Sequence, residues 1–452
     1  MRLYGLKEYG QVAKNYLETL SANGISIILG GPITLAIGAG LSFIANRQIN
    51  KMGSQFLENQ LERHPPSHPY SPNLQKMMDR LYDLSELKVE NNPVYDFRPK
   101  PASKTSKRDE ALAKIFQKSA LMPNAAASNI NEPVIIISEP LLELLSDDEE
   151  YAVLAHEFMH AAADHQKVTM PKRFLSSAAM ITNSLARFLE LLNAGFIGVL
   201  SSLATGSAVN IVLSGKEKRQ ASLGLLKELG SLAFNVGNGL LRKNRKAWDS
   251  VDQNIEKLDE YGKIITNKSK AENAEQLLEH KRSINFKKIS SNFAAAGVAT
   301  YFNPAYLPVY AITKTANKAL VLSSKRLSRI FEFHADKGAV TKFEADPLAL
   351  ITALRKITTL VERSQRNANG FAIKDLKVTK LGKAWAEMHA THPSVEKRAA
   401  ALSEIARSKG FNETDIYEAV HGDIDLTGIE DLPLEMAEQA AMMLHITDHP
   451  SL

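Results

Sequence analysis

The chain has 452 residues, of which 44% are hydrophobic and 23% charged, which is the composition of a folded protein large enough for two units. It contains no cysteine, so disulfides and thiolate zinc ligands are excluded, and histidine and carboxylate remain as the strong metal ligands. The net charge is +5, but the basic clusters have no interleaved aromatic residues and no Walker-type glycine loop is present. We therefore expect no nucleic-acid partner and no ATP-driven activity.

The N-terminal part of the chain contains a long uncharged segment. Residues 19–46 carry no charged side chain, and as a helix they are long enough to cross a hydrocarbon layer of ~30 Å. We therefore predict an N-terminal region, residues 1–50, with a membrane-anchor helix, followed by a proline-rich linker at 51–73. The anchor implies contact with membrane lipid and a location in a membrane, a bacterial inner membrane or its equivalent.

Residues 74–172 are predicted to form the first part of the folded body. Within them, the short β-branched run at 133–138 predicts a strand. We assign this strand to a sheet edge, where the backbone of Val134, Ile135 and Ile136 would pair with an extended peptide.

The next predicted helix carries the most informative motif of the chain. Ser146 and Glu149 form an S-x-x-E capping box that predicts the helix start, and neither Pro nor Gly interrupts the sequence through the motif. His156 and His160 then stand four residues apart, with Glu157 beside the first, in the pattern H-E-x-x-H. Because residues four apart share a helix face, both imidazoles can bind one metal ion while the glutamate takes a proton from water at that ion.

A tetrahedral zinc site needs a third protein ligand. His165 does not match the metzincin pattern, whose histidine falls one position later, where this chain has Gln. Glu332 and Asp336 lie four apart on a predicted helix, so that one can bind metal while the other hydrogen-bonds a ligand histidine. His334 and Glu344 are alternative ligands, but the first points to another side of that helix and the second stands near a helix start.

Two further motifs accompany these residues. Residues 122–125 read M-P-N-A just before the predicted strand, and residues 391–398 read T-H-P-x-x-x-x-R. Together with H-E-x-x-H and the E-x-x-A-D of 332–336, they resemble the M48 peptidases, a family that includes the HtpX-type membrane proteases. The resemblance covers about 122–166 and 325–402.

The resemblance implies a role for each residue of these motifs. His156, His160 and Glu332 are implied as the ligands of one zinc ion, and Glu157 as the general base. Asp336 is implied to orient a ligand histidine, for which we favour His156.

His392 and Arg398 belong to the last motif. We assign His392 to the catalytic residues together with Glu157. It would either donate a hydrogen bond to the oxyanion of the tetrahedral intermediate or take the fourth zinc position in a resting form; a loop residue with no catalytic role is the alternative. Arg398 is assigned to a structural ion pair.

A long insertion, residues 173–320, separates the two parts of the implied peptidase domain. Its segments 191–215 and 289–313 are uncharged and are interpreted either as buried core helices or as membrane-associated segments, because HtpX-like proteases place membrane helices here. The second part of the peptidase domain is assigned to residues 321–410.

Residues 411–452 form an acidic C-terminal tail with ten acidic side chains and neither Lys nor Arg. We favour a solvated terminal extension; a helix at 433–445 docked on the basic body and a regulatory or partner-binding tail are the alternatives.

These observations predict an α+β fold that is predominantly helical, with a gluzincin-like zinc peptidase domain, a small mixed sheet and hydrophobic helical segments. The resemblance implies a zinc metalloendopeptidase with one Zn²⁺ per chain. Its substrates would be polypeptides, such as misfolded or membrane proteins in quality control or processing. The alternatives are a catalytically inactive binding protein with the M48 fold and a chaperone-like factor, and the intact Glu157 argues against the first.

Overall fold

The computed structural model describes residues 10–19, 39–40, 42–43, 61–65, 68–85, 94–99, 117, 120–129, 133–163, 165–193, 290, 294–297, 299–301, 303–369, 392–433 and 436–437. The chain divides into two compact units. The first contains Met1–Thr182, Ala316–Pro450 and Leu452, and the second contains Asn183–Thr315 and Ser451. All the motif residues lie in the first unit.

Helices predominate among the described residues, with one small sheet. The elements are β1 (Leu61–Arg63), α1 (Leu74–Ser85), β2 (Val94–Pro99), β3 (Ala125–Asn129), β4 (Pro133–Ile137), α2 (Glu139–Leu144), α3 (Asp147–Ala162), α4 (His165–Asn193), α5 (Tyr306–Thr341), α6 (Pro347–Asn369), α7 (Val395–Ser408) and α8 (Glu413–His421). Residues 10–19 are helical and precede them; they are called the N-terminal helix below. The predicted α+β class, mostly helical with a small mixed sheet, is therefore confirmed.

The described sheet has four strands in the order β1-β2-β4-β3. β4 pairs with β2 in parallel and with β3 in antiparallel orientation. The prediction that Val134, Ile135 and Ile136 lie on an edge strand is therefore wrong, because their strand is internal and the edges of the described sheet are β1 and β3. Both faces of β4 are covered: Ile135 and Ile137 point to one face, Ile136 points to the other, and all three are buried.

The start of α3 agrees with the sequence prediction. The capping box is present, with the Ser146 backbone N–H donating to Glu149 Oε2 at 2.8 Å. The same carboxylate accepts from Lys356 Nζ at 2.7 Å, which ties the start of α3 to α6. Phe158, on the buried side of α3, packs edge-to-face against Phe343 with ring centroids 5.4 Å apart. The helix with the H-E-x-x-H motif is therefore fixed at both ends of its buried face.

A glycine allows α5 to lie close to α3. A Cβ atom at Gly338 would lie 2.4 Å from Met159 Sδ, closer than packed atoms tolerate. The hydroxyl of Tyr151 donates to the carbonyl of Phe343 at 2.7 Å and holds the chain just after α5 against the same helix. These contacts bring Glu332, less than two turns before Gly338, to the histidine side of α3 in spite of the intervening insertion.

The N-terminal helix packs against α4 and α5 within the first unit. Asn15 donates to the backbone carbonyl of Ser323 at 3.0 Å and accepts a hydrogen bond from the buried Lys172. Glu18 forms an ion pair with Arg326 at 3.1 Å. The residues just before the uncharged segment are thus part of the folded body.

The membrane predictions fall largely outside the described residues. Within the part of the chain that the structure describes, no helix combines the length and the apolar character needed to cross a bilayer. Most of residues 19–46 and 191–215, and several residues of 289–313, are not among those described. The membrane anchor therefore stays a prediction.

The interpretation of the acidic tail as a solvated extension is wrong for residues 411–433. Arg355 on α6 donates to the Ala419 carbonyl at 2.8 Å, and Arg363 donates to the Asp431 carboxylate at 2.7 Å. Apolar residues between the acidic ones face α6, so the segment docks through both charge and burial. Its buried apolar side chains include Ile416, Ala419, Leu426 and Leu432.

The close approach of α5 to α3 predicts a specific effect of Gly338→Ala. The added methyl group meets the buried Met159 side chain, and overpacking of this kind typically costs about 1–3 kcal/mol in free energy of unfolding. Gly297→Ala is the matched control, because Gly297 is also helical and its Cβ would meet nothing within 4 Å. Gly338 lies in the first unit and Gly297 in the second, so denaturant unfolding compares each variant with wild type. Both variants gain the same helix propensity, and the difference between the two changes measures the clash. Equal stabilities would contradict it.

Candidate metal centre

Three donor atoms converge between α3 and α5. Nε2 of His156 and Nε2 of His160 lie 3.2 Å apart. His156 Nε2 lies 3.5 Å from Oε2 of Glu332, and His160 Nε2 lies 3.6 Å from Oε1 of the same carboxylate. Bonds of ~2.0–2.1 Å in a tetrahedron place ligand atoms about 3.3–3.4 Å apart. Each nitrogen is thus close to this spacing from the other nitrogen and from one oxygen of Glu332, and the three side chains together could hold one metal ion. In the described ranges, no other group of three or more His, Asp or Glu side chains could do so.

Asp336 sets the tautomer of His156. Its Nδ1 lies 2.9 Å from Asp336 Oδ1, so the Nδ1–H donates to this carboxylate and Nε2 is the nitrogen near Glu332 and His160. Asp336 is 2% exposed. The structure thus brings Asp336 to the histidine that the sequence analysis favoured.

The charges around the two histidines are unequal. Burial and Arg398 lower the pKa of His156, but hydrogen bonds to Asp336 and Glu332 outweigh them and raise it to about 9. Burial lowers the pKa of His160 to about 3. The negative charge that retains a proton on His156 also attracts a divalent cation, whose binding at Nε2 would release that proton.

Arg398, on α7, joins two of the buried carboxylates. Its Nη2 and Nε donate to the two oxygens of Asp336 at 2.6 and 2.9 Å, and its Nη1 lies 3.4 Å from Glu332. Burial raises the pKa of Asp336, but this guanidinium and His156 hold it below its ordinary value. The side chain of Arg398 forms the structural ion pair expected from the sequence and does so at the centre itself.

The two residues assigned to catalysis lie beside the donors. The Glu157 carboxylate is 4.0 Å from His156 Nε2, and burial raises the pKa of Glu157. His392 Nδ1 lies 2.9 Å from Glu332 Oε1, and its ring is 40% exposed. His392 is therefore at the centre and reaches it from the solvent side.

A cleft of about 510 Å³ opens over these groups. The β3 side is formed by Asn124 and the alanines at 125–127, and Glu157, His160 and Glu332 lie at its base. The opposite wall is formed by α4 and α5 with the side chains of Thr169, Lys172, Ser324, Lys325, Leu327 and Ser328. The edge strand and the metal donors thus share one open space.

Sequence reasoning missed the contribution of two further histidines. His165, set aside because its spacing is not that of a metzincin, hydrogen-bonds His160, and His334 hydrogen-bonds His165. The only available signal was the presence of an extra histidine close to each motif. Glu344, the other alternative ligand, lies away from the centre, where it pairs with Arg80 at 3.0 Å.

The buried position of Arg398 predicts a large effect of Arg398→Met on the metal-free protein. The substitution leaves the Asp336 carboxylate buried without its guanidinium, and breaking such a pair typically costs about 3–5 kcal/mol. Arg407→Met is the matched control, because Arg407 lies on the same helix and forms an exposed pair with Glu413, and we expect it to change stability little. Denaturant unfolding after chelation measures both. A loss no larger in Arg398→Met than in the control would contradict the assigned role.

Comparison with protein families agrees with this geometry. The family model described as peptidase family M48 matches residues 74–223 and 270–406, which is more than half of the chain. Comparisons with curated proteins and with solved structures find no match. The match includes every residue of the centre described above.

Proposed function

Because the chain belongs to peptidase family M48, whose members are zinc metalloproteases, we propose that it is an active zinc-dependent metalloendopeptidase. The observation that carries the proposal is the placement of a buried carboxylate, Glu157, next to three side chains that could hold one metal ion, in a cleft that Glu157, His160 and Glu332 line. An inactive binding protein has no need of that carboxylate.

The residues of the centre have separate roles in the proposed reaction. A zinc ion held by His156, His160 and Glu332 would supply a Lewis acid for the scissile carbonyl and lower the pKa of water at the centre toward ~7. Glu157 takes a proton from the attacking water and delivers it to the leaving amine. Burial raises the pKa of this carboxylate, which makes it a better proton acceptor than an exposed glutamate.

His392 is assigned to the oxyanion. Its Nδ1 hydrogen-bonds Glu332, which leaves the other ring nitrogen directed away from that carboxylate, on a ring that is 40% exposed. Because Nδ1 donates to the carboxylate, Nε2 carries a proton only when the ring is an imidazolium. In that form its Nε2–H would stabilise the negative charge that develops on the carbonyl oxygen.

The substrate backbone is proposed to lie along β3. Residues Asn124, Ala125, Ala126 and Ala127 line the same cleft as Glu157, and among the described strands β3 pairs with β4 alone. An edge strand binds an extended peptide through its main chain, which gives affinity with little sequence preference. This assignment replaces the one made for Val134, Ile135 and Ile136.

Membrane association is proposed as the setting of this activity, with misfolded or membrane proteins as substrates. It is supported by the uncharged segment at 19–46, which begins at the last described residue of the N-terminal helix. That helix packs on the first unit through Asn15 and Glu18, so an anchor here would hold the cleft close to the bilayer.

The role of Glu157 is tested by Glu157→Gln. We expect casein hydrolysis to fall by ~10²–10⁴-fold, because the amide cannot accept the water's proton, while zinc content stays at one ion per chain. Glu150→Gln is the matched control, since Glu150 is a buried glutamate of the same helix that hydrogen-bonds Ser71 and does not line the cleft.

Two results would contradict the proposed function. One is wild-type protein that takes up no zinc under zinc-replete conditions. The other is full activity in Glu157→Gln when zinc content and folding match those of wild type.

A further inference from the structure

Three hydrogen-bonded imidazoles lead away from the candidate metal centre. His160 Nδ1 lies 2.7 Å from His165 Nδ1, and His165 Nε2 lies 2.9 Å from His334 Nδ1. Both added histidines are buried, His165 at 4% and His334 at 6% exposure. The first of these three rings, His160, is one of the proposed zinc ligands.

When the three rings are neutral, one arrangement of protons satisfies the two hydrogen bonds between them. A histidine that binds metal through Nε2 carries its proton on Nδ1, so His160 must donate and His165 Nδ1 must accept. The proton of His165 is then on Nε2, from which it donates to Nδ1 of His334. Binding of a metal at His160 is thus compatible with one tautomer at each of the three positions.

The helix that supplies Glu332 also fixes His165. Phe331, the residue before Glu332, stacks on the His165 ring with centroids 4.3 Å apart and planes 8° apart. His334 lies on the same helix and holds the Nε2 side of the ring. His165 is therefore restrained against both tilting and rotation, and its Nδ1 lone pair stays directed at His160.

We propose that His165 is a positioning residue that holds His160 in the orientation and tautomer required to bind zinc, and that His334 fixes His165 in turn. The inference rests on the proposed function, because it assigns a role relative to the zinc ion. The two ligand histidines are then supported differently. His156 is held by the carboxylate of Asp336, and His160 is held by a neutral imidazole.

The experiment compares two substitutions of His165 in the full chain. His165→Phe keeps a flat ring for stacking on Phe331 but removes the acceptor, and we expect zinc affinity to fall about 10–100-fold. His165→Asn places an oxygen acceptor near the position of Nδ1 and should recover most of that affinity. Competition with a chromophoric chelator measures zinc affinity, and the visible absorption of the Co²⁺-loaded protein reports the ligand geometry. His68→Phe, which removes a buried histidine elsewhere, is the control and should bind zinc as wild type does.

The outcomes separate this inference from the proposed function. Folded His165→Phe with zinc affinity within about twofold of wild type, or with a loss that Asn does not recover, would overturn the positioning role while leaving the peptidase intact. If His165→Phe does not fold, His334→Phe decides, because it leaves the contact between His165 and His160 in place and removes only its support. We expect weaker zinc binding and a shifted cobalt spectrum for this variant, and an unchanged affinity and spectrum would overturn the inference. Wild-type protein without zinc affinity would instead contradict the function itself.

Discussion

The fold of the first unit depends on a cluster of buried charge. Glu157, Glu332 and Asp336 place three carboxylates in one water-poor region, where unpaired anions are costly. The Arg398 guanidinium contacts two of them, and the pKa of His156 is raised to about 9 by the same carboxylates. The remaining negative charge is what a divalent cation would neutralise. Helices α3, α5 and α7 each contribute at least one of these charged side chains, so the ion pairs between them also hold the three helices together.

Helix α5 contributes most to the centre. Glu332 and Asp336 face the two motif histidines, Phe331 and His334 hold His165, and Gly338 allows the helix to lie close enough for these contacts. All of these contacts are made by residues 331–338 of this one helix.

The parts of the site that follow from helical periodicity could be predicted from the sequence. The pairs His156 with His160 and Glu332 with Asp336 are each four residues apart, and this spacing is enough to place them on common faces. Sequence reasoning did not predict β3, because an Ala-Ala-Ala-Ser-Asn strand has little intrinsic β propensity and forms through its partner β4. The hydrogen bond between His165 and His334, and the docking of the acidic tail on Arg355 and Arg363, join residues that are far apart in the sequence. No local sequence pattern indicates such contacts.

The most direct test of the account is the position of the metal, obtained from anomalous diffraction at the zinc absorption edge on crystals of the zinc-loaded protein. The account predicts one peak per chain, about 2.0–2.2 Å from Nε2 of His156, Nε2 of His160 and a carboxylate oxygen of Glu332. A peak that lacks Glu332, or zinc bound only elsewhere on the chain, would contradict it.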